Sequence, residues 1–334
     1  MRVFVTGASG FIGSAIVREL LDAGYAVLGL ARSDASAASV AAAGAQVHRG
    51  SLEDLESLRR GAAAADGVIH TAFIHGFNNY APAAEKDGRA IETLGESLAG
   101  SKRPLIVTSG TLLLQRQGPF ATEQDSPIPT FPRKSEAAAA ALAKQGVHVS
   151  VLRLPPSVHG EGDHGFVPAL IKIARDRGAA AYVGDGLNRW PGVHRLDVAH
   201  FYRLVLESGS AGANYHAIGD EGVPFREIAE VIGRHLSVPV ISKSLEEAAE
   251  HFGWMALFAG IDGPASSAQT QKALAWRPIR AGLLEDIDKG TYFPPEHIGG
   301  AVAPLARVPG NFNCPDRLVP ETQEEVVESE GLDQ

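Results

Sequence analysis

Two rhythms of apolar residues alternate along the first half of the chain. Short runs rich in Val, Ile and Leu, bounded by Gly or polar residues, predict strands at 2–6, 26–31, 46–49, 67–71, 104–109 and 147–153. Between them, Ala-rich amphipathic segments predict helices near 11–23, 33–43, 52–61, 80–99 and 133–145. Strands and helices in alternation imply parallel strands joined by crossover helices. The expected fold class is therefore α/β, a Rossmann-type doubly wound sheet, which binds ligands beyond the carboxyl ends of its strands.

After Arg153 the rhythm changes. Gly and Pro punctuate PPSVHGEGDHG and VGDGLNRWPG, strands shorten, and helices return at 166–177, 196–208 and 225–236. The division expected is a dinucleotide-binding core over 1–153 and a smaller C-terminal substrate lobe over 154–293, with returns to the core. Residues 294–334 form a Pro-rich and then acidic tail, too polar to bury much area and expected to be partly disordered.

Composition narrows the function classes. The formal charge is −9, but residues 316–334 hold seven acids and one Arg, so the body is close to neutral. No basic stripe offers itself to nucleic acid, and no run approaches the roughly 18–20 apolar residues of a membrane span. One Cys among 334 residues excludes an internal disulfide framework or a thiolate metal cluster. His159, Glu161, Asp163 and His164 match no standard ligand spacing, so no metal is expected. A cytoplasmic protein acting on a small molecule is the expectation.

The strongest chemical signal is Thr6-Gly7-Ala8-Ser9-Gly10-Phe11-Ile12-Gly13, between an apolar strand and an amphipathic helix. That is the context in which a glycine triplet binds a dinucleotide. Gly7 permits the turn, Gly10 lets backbone approach the pyrophosphate, and Gly13 lets helix and strand pack closely. Ser9, Phe11 and Ile12 complete the lip that faces the phosphates, whose charge suits the helix N-terminus. At the end of the second strand stand Arg32 and Ser33, a guanidinium and a hydroxyl suited to a ribose 2′-phosphate, so NADP(H) is preferred. Asp34 follows, and keeps NAD(H) admissible.

On these residues the chain resembles the extended short-chain dehydrogenase/reductases, the superfamily of nucleotide-sugar epimerases and dehydratases, over residues 1–293. TGASGFIG resembles its cofactor fingerprint. RGSLEDLESL takes the place of its adenine-contacting turn, with Ser51 and Leu52 beside the base. VIHTAF resembles the stretch that lines the middle of the cofactor, which implicates Thr71, Ala72 and Phe73. LIVTSGT resembles the strand carrying the catalytic Ser or Thr, here Ser109. VLRLPPSVHGEGD and SSAQTQKALAWRP are similar to later family segments. GDGLNRWPGVHRLDVA resembles the loop whose Arg grips a substrate phosphate, which implicates Arg189 with Trp190.

The resemblance breaks at the family's Tyr-x-x-x-Lys pair. Aligned on Glu136, Pro132 falls at the Lys position and Ile128 at the Tyr position; a shift by two recovers Lys134 but puts Thr130 at Tyr. Proton transfer to a developing alkoxide is worth about 10²–10⁴-fold, so another group must supply it. The candidates are Ser109, Lys134 and His159. His159 stands where the family has a Tyr, against a plain reading as a hydrogen-bonded loop histidine; Lys134 or Arg133 offers a hold on the ribose or on a carboxylate.

The expected function is that of an NAD(P)-binding oxidoreductase or epimerase on a small polar or hydroxylated substrate, with a non-standard acid/base. The alternatives are a cofactor-binding regulator without catalysis and a non-redox isomerase or lyase. The resemblance also implies a homodimer formed through helices 80–99 and 133–145.

Overall fold

The computed structural model describes residues 1–74 and 80–293. Its elements in chain order are β1 (Arg2–Thr6), α1 (Phe11–Asp22), β2 (Ala26–Ala31), α2 (Asp34–Ala42), β3 (Gln46–Arg49), α3 (Leu55–Ala63), β4 (Gly67–His70), α4 (Tyr80–Glu96), β5 (Leu105–Gly110), α5 (Ser135–Lys144) and β6 (Val149–Leu154). There follow β7 (Ser157–His159), α6 (Phe166–Arg177), β8 (Ala180–Val183), β9 (Arg189–His194), α7 (Arg195–Ser208), β10 (Asn214–His216), β11 (Asp220–Pro224) and α8 (Phe225–Leu236). The last are β12 (Val240–Lys243), α9 (Leu245–Phe252), α10 (Ala256–Ala259), α11 (Ala268–Leu274) and α12 (Leu283–Lys289).

Strands β1 to β6 and β10 form one parallel sheet of seven, in the order β10-β6-β5-β4-β1-β2-β3. The chain runs outward from β1 through β2 to β3, then returns to β4 on the other side of β1. That reversal opens a crevice between the carboxyl ends of β1 and β4. Successive side chains of a strand point to opposite faces. Val3 and Val5 accordingly pack with Ile16, Leu20, Phe201 and Trp276 on one face, while Phe4 packs with Leu58, Ile91, Leu94 and Leu142 on the other. All are sealed from water, each large side chain worth roughly 1.5–3 kcal/mol in burial.

The doubly wound sheet matches the sequence expectation, with one addition. Its seventh strand, β10, comes from the second half of the chain, and α7 packs back onto α1. Three residues, Asn-Tyr-His, carry too little pattern to announce a strand. Helix α3 starts at Leu55, later than its apolar pattern implies, because Asp54 caps it by accepting from the Ser57 N–H at 3.0 Å. Helix α5 starts at Ser135.

The remaining elements build the smaller C-terminal lobe. A three-stranded sheet, β11-β9-β7, and a parallel pair, β12-β8, enclose a core of Trp190, Phe225, Phe252, Met255 and Leu283. The acidic tail and its expected disorder lie outside the described residues.

Candidate functional site

The crevice begins at the glycine turn. Gly7 has φ of +73°, the left-handed region, and a Cβ there would stand 2.7 Å from the Thr71 hydroxyl and 2.9 Å from the Ala72 nitrogen. A Cβ on Gly13 would meet the Gly7 carbonyl oxygen at 2.0 Å. These two glycines are demanded by the protein's own packing. At Gly10 the crowding is milder, a Cβ standing 3.2 Å from the Gly7 carbonyl oxygen. Gly10 is exposed, and as the residue preceding α1 it provides no side-chain cap. The first N–H groups of α1 therefore face outward without side-chain partners, at the positive end of a twelve-residue helix. Ser9 and Gly10 are exposed, with Phe11 and Ile12 half-buried beside them. This is an anion cradle, and a pyrophosphate fits it.

From α7, Arg195 reaches over this turn. Its guanidinium lies 4.5 Å from the centre of the Phe11 ring and donates to the Ser14 hydroxyl at 3.0 Å. That contact was not legible in the sequence, because it depends on α7 packing against α1.

At the end of β2, Arg32 is exposed and has no hydrogen-bond or ion-pair partner among the described residues. Ser33 caps α2 and shares a capping box with Ser36. Asp34 is held by Arg49, from the end of β3, at 2.6 Å. On the adjoining turn the Ser51 hydroxyl accepts from the Glu53 and Asp54 N–H groups, and Leu52 is buried.

At the end of β4, Thr71 donates to the Thr6 carbonyl at 2.8 Å, and Ala72 N–H to the Thr6 hydroxyl at 3.3 Å. That hydroxyl opens a buried polar chain. Thr6 donates to His70 Nδ1 at 2.8 Å, and His70 Nε2 donates to Asp87 at 3.0 Å. Asp87 also accepts from the Ser135 hydroxyl at 2.5 Å, and Ser135 in turn accepts from Arg133 Nε at 2.8 Å. Burial works against the Asp87 charge, yet His70, Arg133 and Ser135 together hold its carboxyl below the usual carboxylate range. Arg133 completes its contacts with the Thr108 carbonyl at 3.1 Å and the face of Phe73 at 4.4 Å.

Ser109, at the end of β5, makes no hydrogen bond through its hydroxyl among the described residues. It lines a small recess with Leu113, Pro127, Ile128, Phe131, Arg133 and Glu136. Ile128, which one of the two expected frames sets at the family's Tyr position, is in that wall. Glu136 is fixed by a two-pronged pair with the buried Arg153, at 3.0 and 2.7 Å.

Other expected site residues fall elsewhere. Lys134 precedes α5 and pairs with Glu85 at 3.5 Å on the surface, so of the two neighbouring cations it is Arg133 that enters the recess. His159 is 0% exposed, with Nδ1 2.8 Å from Asp286 of α12 and Nε2 buried without a partner. That is the geometry of a packed structural histidine, closed to a ligand in the crevice. Trp190, expected on the substrate side, is instead a core residue of the lobe, 0% exposed, its indole donating to the Phe258 carbonyl at 3.2 Å. Arg189 has its fork closed by Asp262, at 3.0 Å through both Nε and Nη2. Among the described residues no group of His, Cys, Asp and Glu is arranged to hold a metal, and no helix is long and apolar enough to cross a membrane.

Comparison with known proteins agrees with this geometry. Residues 3–109 match the model of the NAD dependent epimerase/dehydratase family. An uncharacterized protein of Schizosaccharomyces pombe is 51% identical over 295 residues, covering 88% of this chain and 100% of the relative. A 4-hydroxy-2-methyl-3-oxo-4-farnesyl-3,4-dihydroquinoline-1-oxide ketoreductase of Stigmatella aurantiaca is 28% identical, over 79% of this chain and 84% of its own. Among solved structures, a dTDP-glucose 4,6-dehydratase from Streptomyces venezuelae superposes with a TM-score of 0.70 at 23% identity, covering 86% of this chain and 96% of that one.

Proposed function

The chain belongs to the NAD-dependent epimerase/dehydratase family, and from that premise we propose that it is an NADP(H)-dependent oxidoreductase that interconverts a ketone and a secondary alcohol on a small polar substrate. The cofactor supplies or accepts the hydride. The protein's part is to hold its pyrophosphate at the uncapped start of α1, to line its middle with Thr71, Ala72 and Phe73, and to present the substrate oxygen to the Ser109 recess.

The observation that carries the choice of NADP(H) is the pairing at the ends of β2 and β3. Asp34, the acid the sequence offers for a ribose 2′-hydroxyl, pairs with Arg49, while Arg32 is exposed and unpaired among the described residues beside the Ser33 cap. A 2′-phosphate brought there meets a net positive charge. Two observations support ketone chemistry over nucleotide-sugar chemistry. The Arg189 fork that would grip a sugar-nucleotide phosphate is occupied by Asp262, and one of the relatives is named as a ketoreductase.

Calorimetric titration with NADPH and NADH tests the reading. The Arg32→Ala protein should bind NADPH about 10- to 100-fold more weakly, as loss of a charge-assisted contact implies, with NADH affinity little changed. Equal affinity of the unaltered protein for both nucleotides, unmoved by the substitution, would remove the NADP(H) preference.

A further inference from the structure

We propose that Tyr80 is the proton donor for the substrate oxygen and that Arg133 positions it and carries the charge it leaves, a pair standing in for the Tyr-x-x-x-Lys arrangement the sequence did not reveal. The inference rests on the oxidoreductase reading above.

Tyr80 is the first residue of α4, which follows the carboxyl end of β4 in the chain. Its ring meets Phe131 edge-on, with centroids 5.2 Å apart, and lies 5.6 Å from Phe73. Arg133 covers that same Phe73 at 4.4 Å. Phe131 and Arg133 both line the recess that holds the Ser109 hydroxyl. The recess thus holds one guanidinium and one unpartnered hydroxyl, and the phenol packs against two rings next to them, Phe131 of the recess wall and the Phe73 that Arg133 covers.

The buried chain explains why the guanidinium stands there. Thr6, His70, Asp87 and Ser135 are each at most 1% exposed, and each hydrogen-bonds to the next until Ser135 accepts from Arg133. Four polar side chains buried this deeply are costly unless every group is satisfied. Here they fix one end of Arg133, while the Thr108 carbonyl fixes another. Two charges act on the phenol. Burial raises the Tyr80 pKa and Asp87 adds to the rise, while Arg133 opposes both. Lys134, one residue away in sequence, cannot substitute from its surface pair with Glu85.

In the reductive direction the substrate carbonyl takes up hydride from reduced nicotinamide at carbon, and its π pair moves onto oxygen. The O–H bond of Tyr80 breaks as the new O–H bond forms on substrate. The resulting phenolate is stabilised by Arg133 and regains its proton from solvent. The carbonyl gains two electrons and the nicotinamide loses two. In the alcohol-oxidising direction each transfer reverses.

The test uses the full chain with NADPH and a set of 3-oxo esters and simple aryl ketones. Tyr80→Phe should bind NADPH within threefold of the unaltered protein, which also verifies folding, while kcat falls about 10²–10⁴-fold. Arg133→Lys should retain at least a tenth of the rate that Arg133→Ala loses. Independently of turnover, the ring-carbon NMR signal of Tyr80, assigned by its loss in Tyr80→Phe, should titrate at least one pH unit higher in Arg133→Gln. If Tyr80→Phe keeps more than a third of the rate, or if the Tyr80 titration ignores Arg133, the pair is overturned and the oxidoreductase reading stands. If the unaltered protein binds neither nucleotide or reduces none of the ketones, the oxidoreductase reading falls and takes the pair with it.

Discussion

Asp87 is a carboxylate 1% exposed to water, and it keeps its charge because three neighbours hydrogen-bond or face it. Its folded pKa is depressed relative to the unfolded chain. The stability it contributes is therefore full above the usual carboxylate range and is lost as pH falls through the folded value. Asp87→Asn should cost about 3 kcal/mol in urea denaturation at pH 7, as breaking a buried charged contact does. Below about pH 4 the gap to the unaltered protein should narrow, because there the unfolded chain takes up a proton that the native carboxylate resists. A gap constant down to pH 3 would mean that Asp87 is not held as an anion. At this scale the sequence was legible where backbone geometry dictates residue type: Gly7 and Gly13 admit no side chain. It misled where burial decides. His159 and Trp190 look like ligand residues in a Gly-rich stretch, and nothing local says that α12 and the lobe core close over them.

Among elements, the α4–α5 contact sets two opposed effects against each other. Gly95 lies inside α4, where Ala would be favoured by about 1 kcal/mol of helix propensity. A Cβ there would stand 2.3 Å from a Leu142 methyl of α5. Overpacking of this kind costs typically about 1–3 kcal/mol, so Gly95→Ala should be net destabilising, with a lowered Tm in calorimetry. A raised Tm would show that the two helices can part without loss. The helices of the first half were readable because each is long enough to display its apolar stripe, and their strands were bracketed by glycine. The short strands β7, β8 and β10 to β12 were not. At three to five residues they show no period, and their pairing is set by distant partners such as β6 with β10.

For the molecule as a whole, one fully buried join between the two halves is a charged one. Arg153 on β6 is 1% exposed; it pairs with Glu136, and donates to the Glu123 carbonyl at 3.3 Å and to His216 Nε2 on β10 at 3.3 Å. His216 passes its own N–H to the Ser266 carbonyl at 2.9 Å, so it is neutral in the fold. Burial, reinforced by the nearby guanidinium and opposed by Glu123, pushes its pKa down to about 4. An unfolded histidine takes its proton near pH 6.5, roughly the ordinary value. Stability from this group is thus complete above that pH and drains away as pH falls toward the folded value. His216→Gln should flatten the stability–pH curve between about pH 6.5 and 4, and an unchanged slope would assign the acid sensitivity to other groups. The sequence matched family segments on both sides of this join, yet the join itself was invisible, because it is made by residues 63 positions apart.

That separation also sets a timetable for a chain made from one end to the other. At about 5–20 residues per second, roughly 3–12 s pass between the synthesis of Arg153 and that of the strand that covers it. Throughout that interval β6 is an open sheet edge, and the His216 acceptor of its buried Arg153 has still to be made. Open edges of this kind are where nascent chains pair wrongly with one another. The seventh strand is thus the latch of the sheet, and a ribosome stalled before residue 214 would release a product prone to clump however sound its first six strands.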